Sequence, residues 1–274
     1  MTFLNQAISA ALVAMAPLFT LVTSFYPSPM TSSHQAGTVR ANPTVAALFG
    51  ASSQTTGHTC TASVVSSATG DLLITAAHCL SGTGNGTGIT VAPGYDKGTT
   101  PYGVWSVNAV FVDPVWKIAQ SDADDIAILR VAPRLVNGVT RQLQDVTTAN
   151  TLSDTPDTET AVTVQGFNTG TDDEAISCTT GLVFTHGNPT FGCDGYVGGS
   201  SGSPWLITGA DGVTRVTGVI GGLDQGGCTS QTSYSPLFGT TARNLLARAE
   251  QAGATGDTTP PAGDTSGCSG IAMN

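Results

Sequence analysis

Charge is what this chain has least of. Only 10% of its 274 residues are Asp, Glu, Lys or Arg, against about 25% in ordinary soluble chains. Lysine occurs twice, as Lys97 and Lys117. The long charged side chains that coat exposed helices are therefore scarce, which argues against an all-α bundle or a coiled coil. Basic patches are missing too. With a formal charge of −10 little is left to neutralise phosphates, so no nucleic-acid partner is expected. No internal apolar run reaches the about 18 residues of a membrane-spanning helix. What is present instead is Gly, 34 residues of it, with abundant Ser and Thr, and a hydrophobic fraction of 40% that excludes global disorder. At about 150 residues per domain the length is roughly 1.8 units, enough for one large β domain, a two-lobed one or two small domains.

The ends differ from the middle. Residues 1–39 contain no Asp, Glu, Lys or Arg, and Ala7 to Val22 is almost continuously apolar, broken chiefly by Ser9 and Pro17. That is the length of a signal-peptide core and short for a membrane span. Val22 and Ser24 are small enough to precede a cleavage point, so residues 1–24 are expected to be a signal peptide. Its start carries no Lys or Arg, which keeps an N-terminal anchor as the rival. Residues 25–42, rich in Pro, Ser and Thr, read as a linker or short propeptide. Residues 251–274 read as a flexible Gly/Thr/Pro-rich tail, with Cys268 as a point where it could be pinned.

Between Pro43 and Glu250 short apolar runs alternate with Gly/Ser/Asn/Asp clusters. Examples are Thr61–Val65, Leu72–Ala76, Gly88–Ala92, Val104–Val110, Ile126–Val131, Ala161–Gln165, Gly181–Phe184, Ser203–Ile207 and Val213–Ile220. Strands of this length and spacing predict an all-β sandwich or barrel. Only Thr241 to Ala252 has a helical period, with Leu245, Leu246 and Ala249 on one face. The six cysteines, Cys60, Cys79, Cys178, Cys193, Cys228 and Cys268, are an even number behind a signal-like segment, which favours disulfides. None is spaced as a zinc pair, so no metal and no other cofactor is expected.

Three segments carry chemistry. Leu73-Ile74-Thr75-Ala76-Ala77-His78-Cys79 runs an apolar strand into small residues and then a His, which is rigidly held yet reachable. Asp122-Ala123-Asp124-Asp125 precedes the apolar strand Ile126–Leu129, and the last acid is the one drawn inward, where it must find hydrogen-bond partners. Gly198-Gly199-Ser200-Ser201-Gly202-Ser203-Pro204 is a tight glycine-rich loop whose backbone N–H groups could face a developing oxyanion. It is not a nucleophile elbow. Ser203 stands where the last Gly of G-x-S-x-G belongs, and the chain order is His, Asp, Ser.

Together these motifs resemble those of the chymotrypsin/trypsin-like serine endopeptidases, in the manner of secreted bacterial members. Thr75-Ala76-Ala77-His78-Cys79 matches T-A-A-H-C without change. Asp125-Ile126-Ala127-Ile128-Leu129 matches D-I-A-[LI]-L. Gly199 to Pro204 matches G-D-S-G-G-P with two changes. The order of the three is the chymotrypsin one. The resemblance covers residues 43–250 and implies two packed six-stranded antiparallel β-barrels and a C-terminal helix, with lobe one at 43–137 and lobe two at 138–250. It implies His78, Asp125 and Ser201 as a catalytic triad, with the N–H groups of Gly199 and Ser201 as the oxyanion hole.

Departures from the family are as telling. Ser200 stands where animal members carry an Asp that pairs with a freshly cut N-terminus, and no I-V-G-G-like start lies near residue 40. Activation by N-terminal insertion is therefore not expected. Six residues before Ser201 is Gly195, with Asp194 one further back. Either Asp194 enters the specificity pocket and selects basic residues, or the pocket is small and neutral. Gly221, Gly222 and Leu223 would form its wall. By resemblance Cys60 pairs with Cys79. Cys178 with Cys193 and Cys228 with Cys268 is the preferred remainder, and Cys193 with Cys228 the alternative. The function implied is a secreted, extracellular, monomeric serine endopeptidase acting on proteins or peptides, without a membrane partner after signal removal. A catalytically silent binding protein on the same fold is the alternative.

Overall fold

The computed structural model describes residues 34–50, 57–170, 174–261 and Cys268. The expected signal peptide, residues 25–33 and most of the last dozen residues lie outside these. After a short strand β1 (Gly37–Thr38) come β2 (Val45–Phe49), β3 (Cys60–Val64), β4 (Leu72–Thr75), β5 (Thr90–Pro93), β6 (Trp105–Val112) and β7 (Ala127–Val131). Strands β2 to β7 close into an antiparallel barrel in the order β2-β3-β4-β7-β6-β5. Successive side chains leave a strand on opposite faces, and in this barrel both faces are covered. Ala46 and Leu48 of β2 join Leu73, Val91, Trp105 and Leu129 in a core to which all six strands contribute. Val45, Ala47 and Phe49 face the other way, into a core shared with Phe167, Val216 and Leu245 of the second half. That is why β2 and β4 read as unbroken apolar runs. Between β6 and β7 the short helix α1 (Pro114–Ala119) is started by Asp113, whose carboxylate accepts the Val115 N–H, and by Pro114 at the first position.

A hairpin, β8 (Arg134–Val136) and β9 (Val139–Arg141), and a short helix α2 (Leu143–Thr147) lead to lobe two. Its strands are β10 (Thr151–Leu152), β11 (Ala161–Phe167), β12 (Ala175–Gly181), β13 (Val183–Thr185), β14 (Asn188–Gly192), β15 (Pro204–Thr208), β16 (Thr214–Val219) and β17 (Thr232–Tyr234), followed by helix α3 (Thr240–Glu250). One sheet has the order β1-β12-β11-β15-β16-β10 and a second the order β13-β14-β17. Their core is Val162, Val164, Phe191, Trp205 and Ile220. The fold is thus the double β structure with a C-terminal helix, and the one departure from antiparallel pairing in its sheets is β10 beside β16. Of the face of α3 read from its period, Leu245 and Ala249 are buried and close the shared core together with Ala242, while Leu246 is half-buried against it. No described helix is long and apolar enough to cross a membrane.

Contacts reach across three of the expected boundaries. In the segment ending at residue 42, β1 adds an edge to β12 and the Gln165 amide donates to the Arg40 carbonyl at 3.1 Å. Residues past Asn137 still pack on lobe one. Leu143 lies in the barrel core, and Asn150 donates from its side chain to Thr44 and Ser63 at 3.0 Å each. Finally, residues 251–261 lie along lobe one. Asp257 donates its N–H to the Val110 carbonyl at 2.7 Å and accepts from the Val112 N–H and from Arg248 and Lys117. Thr259 donates to the Leu80 carbonyl at 2.7 Å. Burial pushes the Asp257 carboxyl up, but the Val112 N–H and the two cations outweigh it and hold it below the usual carboxylate range. A segment with no apolar period can still dock when its backbone and one acid find partners on the stretch of β6 that β5 leaves unpaired, which composition does not disclose.

Candidate active site

His78 and Asp125 are brought together by strand pairing. The antiparallel register of β4 and β7 sets Thr75 opposite Ala127. His78 follows β4 on a 3₁₀ turn (Ala77–Leu80), and Asp125 ends the turn that precedes β7. The imidazole Nδ1 lies 2.7 Å from Asp125 Oδ2. A carboxylate only accepts, so Nδ1 carries the proton and Nε2 is left as the basic nitrogen. Asp125 is 3% exposed, and its burial is matched by two further donors. The His78 N–H reaches Oδ1 at 2.8 Å, and the Gly222 N–H reaches Oδ2 at 2.8 Å. Ala76 and Ala77, fully buried, leave room for the ring. Asp122, also at this corner, has its carboxyl raised by burial and by the charges of Asp125 and Asp224.

Ser201 arrives from lobe two on the loop between Cys193 and β15. The loop is turned by glycines that no other residue replaces easily. Gly199 has φ +93° and a Cβ there would overlap the Thr169 backbone; Gly202 has φ +79° and a Cβ would overlap the Thr61 carbonyl and the Thr75 hydroxyl. Bonds then fasten the loop on both sides. The Thr61 N–H, from lobe one, donates to the Ser201 carbonyl at 2.7 Å, and the Gly202 N–H to the Ile220 carbonyl at 2.7 Å. Among the described residues, neither the Gly199 N–H, the Ser201 N–H nor the Ser201 hydroxyl makes a hydrogen bond to another residue. All three belong to residues that line, with His78, a cleft of about 850 Å³.

Asp194, Gly195, Gly221, Gly222 and Leu223 do not line this cleft. Asp194 is drawn into a bridge with Gln35: its carbonyl accepts from Ala36, and its N–H donates to His34. Gly221 and Gly222 instead back onto Asp125. The lobe-two wall comes from Tyr196, Val197, Ile220, Ser233 and the Asp224–Gly227 turn. In that turn Asp224 and Gln225 both take positive φ, +53° and +55°. Tyr196, whose hydroxyl donates to the Val164 carbonyl, has its pKa raised by burial.

The cysteines form three bridges, Cys60–Cys79, Cys178–Cys193 and Cys228–Cys268. The first ties β3 to the turn that carries His78. The last fastens the C-terminal segment to the rim of the cleft, which both its cysteines line. Two groupings, Cys60-His78-Cys79 and Asp224-Cys228-Cys268, are tight enough for a metal. In both, however, the sulfurs are spent in disulfides, so no thiolate is available to ligate one.

The chain's relatives share this architecture. A family model described as a trypsin-like peptidase domain matches residues 60–214. Among solved structures, the protease Anisep from Arthrobacter nicotinovorans superposes with a TM-score of 0.63 at 22% identity, over 79% of this chain and 100% of that one. The thermostable serine protease AL20 from an extremophilic microorganism gives 0.60 at 22%, over 76% and 97%. A Glu endopeptidase in complex with MPD gives 0.61 at 15%, over 79% and 97%. No curated protein matches. The three structures share the fold, the family model spans more than half of the chain, and the chain belongs to the trypsin-like peptidase family.

Proposed function

We propose that this peptidase is a secreted serine endopeptidase working through an acyl-enzyme on Ser201. The observation that supports it most is the buried Asp125–His78 pair, with Nδ1 to Oδ2 at 2.7 Å, on the same cleft as Ser201 and two unengaged N–H groups. In this reading His78 Nε2 takes the Ser201 proton as Oγ attacks the scissile carbonyl. Asp125 holds the tautomer and stabilises the imidazolium. The Gly199 and Ser201 N–H groups receive the oxyanion, and His78 returns the proton to the leaving amine. Water then repeats the cycle on the ester. The substrate is a protein or peptide strand laid in the open cleft, and the enzyme acts as an extracellular monomer after residues 1–24 are removed. Three disulfides fit an oxidising compartment.

The test is labelling of the intact protein by a fluorophosphonate. Wild type is expected to label at Ser201, and Ser201→Ala is expected not to. A wild type that stays unlabelled, or a Ser201→Ala variant that labels equally, would overturn the reading and leave a binding protein on a peptidase fold.

A further inference from the structure

The loop that carries the candidate oxyanion donors contains two consecutive glycines, Gly198 and Gly199. A Gly–Gly peptide turns over at little steric cost. In a trans peptide the C=O and the N–H point opposite ways, so a flip would put the Gly198 carbonyl where the oxyanion must sit. Something must hold this peptide. It is not an ion pair, for among the described residues no charged side chain bonds to the segment from Tyr196 to Ser201. Ser200, at its centre, only closes the loop on itself, donating its hydroxyl to the Val197 carbonyl at 2.7 Å.

The restraint comes from the end of β11. The Thr169 N–H donates to the Gly198 carbonyl at 2.5 Å, which fixes the direction of that carbonyl and so opposes a flip. The Asn168 side chain fixes the loop just before the peptide from both of its ends. Its Nδ2 donates to the Gly195 carbonyl at 2.8 Å, and its Oδ1 accepts the Val197 N–H at 3.1 Å. From the opposite lobe the buried Thr61 hydroxyl donates to the Gly199 carbonyl at 3.1 Å. The peptide is thus held from both sides by neutral groups.

Resting on the serine endopeptidase reading, we infer that Asn168 is a positioning residue. Its amide, with the adjacent Thr169 N–H, preforms the oxyanion hole by keeping the Gly199 N–H turned into the cleft, in place of a charge-paired aspartate. The hole is then complete as soon as the chain folds, with no new N-terminus required.

The experiment compares wild type, Asn168→Ala and Asn168→Asp by active-site titration, steady-state kinetics, thermal unfolding and affinity for a peptide aldehyde, whose adduct with the serine needs the same hole. Losing one oxyanion donor outright costs about 10²–10³ in turnover, so a donor that is present but no longer held is expected to cost roughly 10–100-fold in kcat. KM and the unfolding midpoint should stay near wild type, and aldehyde affinity should fall in step with kcat. Asn168→Asp keeps the acceptor for Val197 and should recover part of the loss; it also serves if the alanine variant folds poorly. A kcat per titrated site within twofold of wild type in both variants, or a loss confined to the folded fraction, overturns the inference while leaving a reactive wild type as an enzyme. A wild type that titrates no active site overturns the endopeptidase reading, and the positioning role with it.

Discussion

The six strands of lobe one run edge to edge into a closed barrel, whereas those of lobe two form one open six-stranded sheet and a separate three-stranded one. Each half brings part of the candidate site, and the two halves hold their parts by different physics. His78 and Asp125 sit at the ends of neighbouring strands whose register the barrel core enforces, so their meeting is a consequence of closure. Ser201 sits on a loop whose conformation no sheet dictates. It is held by discrete bonds from Thr61, Asn168 and Thr169, and by a disulfide just upstream. A closed barrel leaves no edges to guard, and lobe one has one bridge within it. Lobe two has one within it and a second that fastens the C-terminal segment. Pairs placed by packing tolerate neutral loops around them; groups placed by loops need many local restraints.

The largest effect expected is on the lobe-one pair. Asp125→Asn keeps the size but sets an amide against three N–H donors, and one of them, His78 Nδ1, then loses its reason to be the protonated nitrogen. Turnover should fall by about 10⁴, with the barrel still folded by circular dichroism. A loss under tenfold would break the claim that this pair sets the tautomer. Next is the lobe-two bridge. Replacing Cys178 and Cys193, 15 residues apart, by alanine should cost about 3 kcal/mol in urea unfolding on the loop-entropy account. It should also lower activity before the protein unfolds, since Cys193 anchors the serine loop. Equal activity at equal folded fraction would show that the polar bonds suffice.

The smallest effect concerns the C-terminal segment on lobe one. Asp257 has a depressed carboxyl pKa, so its contribution is present above the unfolded carboxylate value of about 3.9 and is lost as pH falls through the lower folded value. Asp257→Asn should therefore be less stable than wild type by about 1–2 kcal/mol near neutral pH, the scale of a hydrogen bond to a charged group. That gap should close below about pH 4. Thermal melts across that range check it, and a gap independent of pH would remove the ion pair as its cause.

Much of this was legible in residue order. The apolar runs Leu72–Ala76 and Ile126–Val131 became β4 and β7 almost to the residue, and the period of Leu245 and Ala249 marked the buried face of α3. His78, Asp125 and Ser201 stood out because small residues, acids and glycines flank them in patterns that chemistry requires. Strands β12, β14 and β17 were harder to see, as Ala175–Gly181, Asn188–Gly192 and Thr232–Tyr234 carry few apolar residues. The cleft wall is hard to read from the sequence for a related reason. Tyr196, Ser233 and the Asp224–Gly227 turn are defined by where a loop folds back, and no periodicity encodes that.

The sequence by itself determined the class of fold, the helix at the end and the identity of the three candidate catalytic side chains, because alternation, glycine placement and motif order are local properties of a chain. Only the tertiary structure decided which donors hold the Gly198–Gly199 peptide, which residues wall the cleft and that residues 251–261 dock on lobe one. Those outcomes depend on single hydrogen bonds between residues far apart in sequence, such as Thr61 with Gly199 and Asp257 with Val112. Such bonds form only after the strands have fixed where each backbone group points.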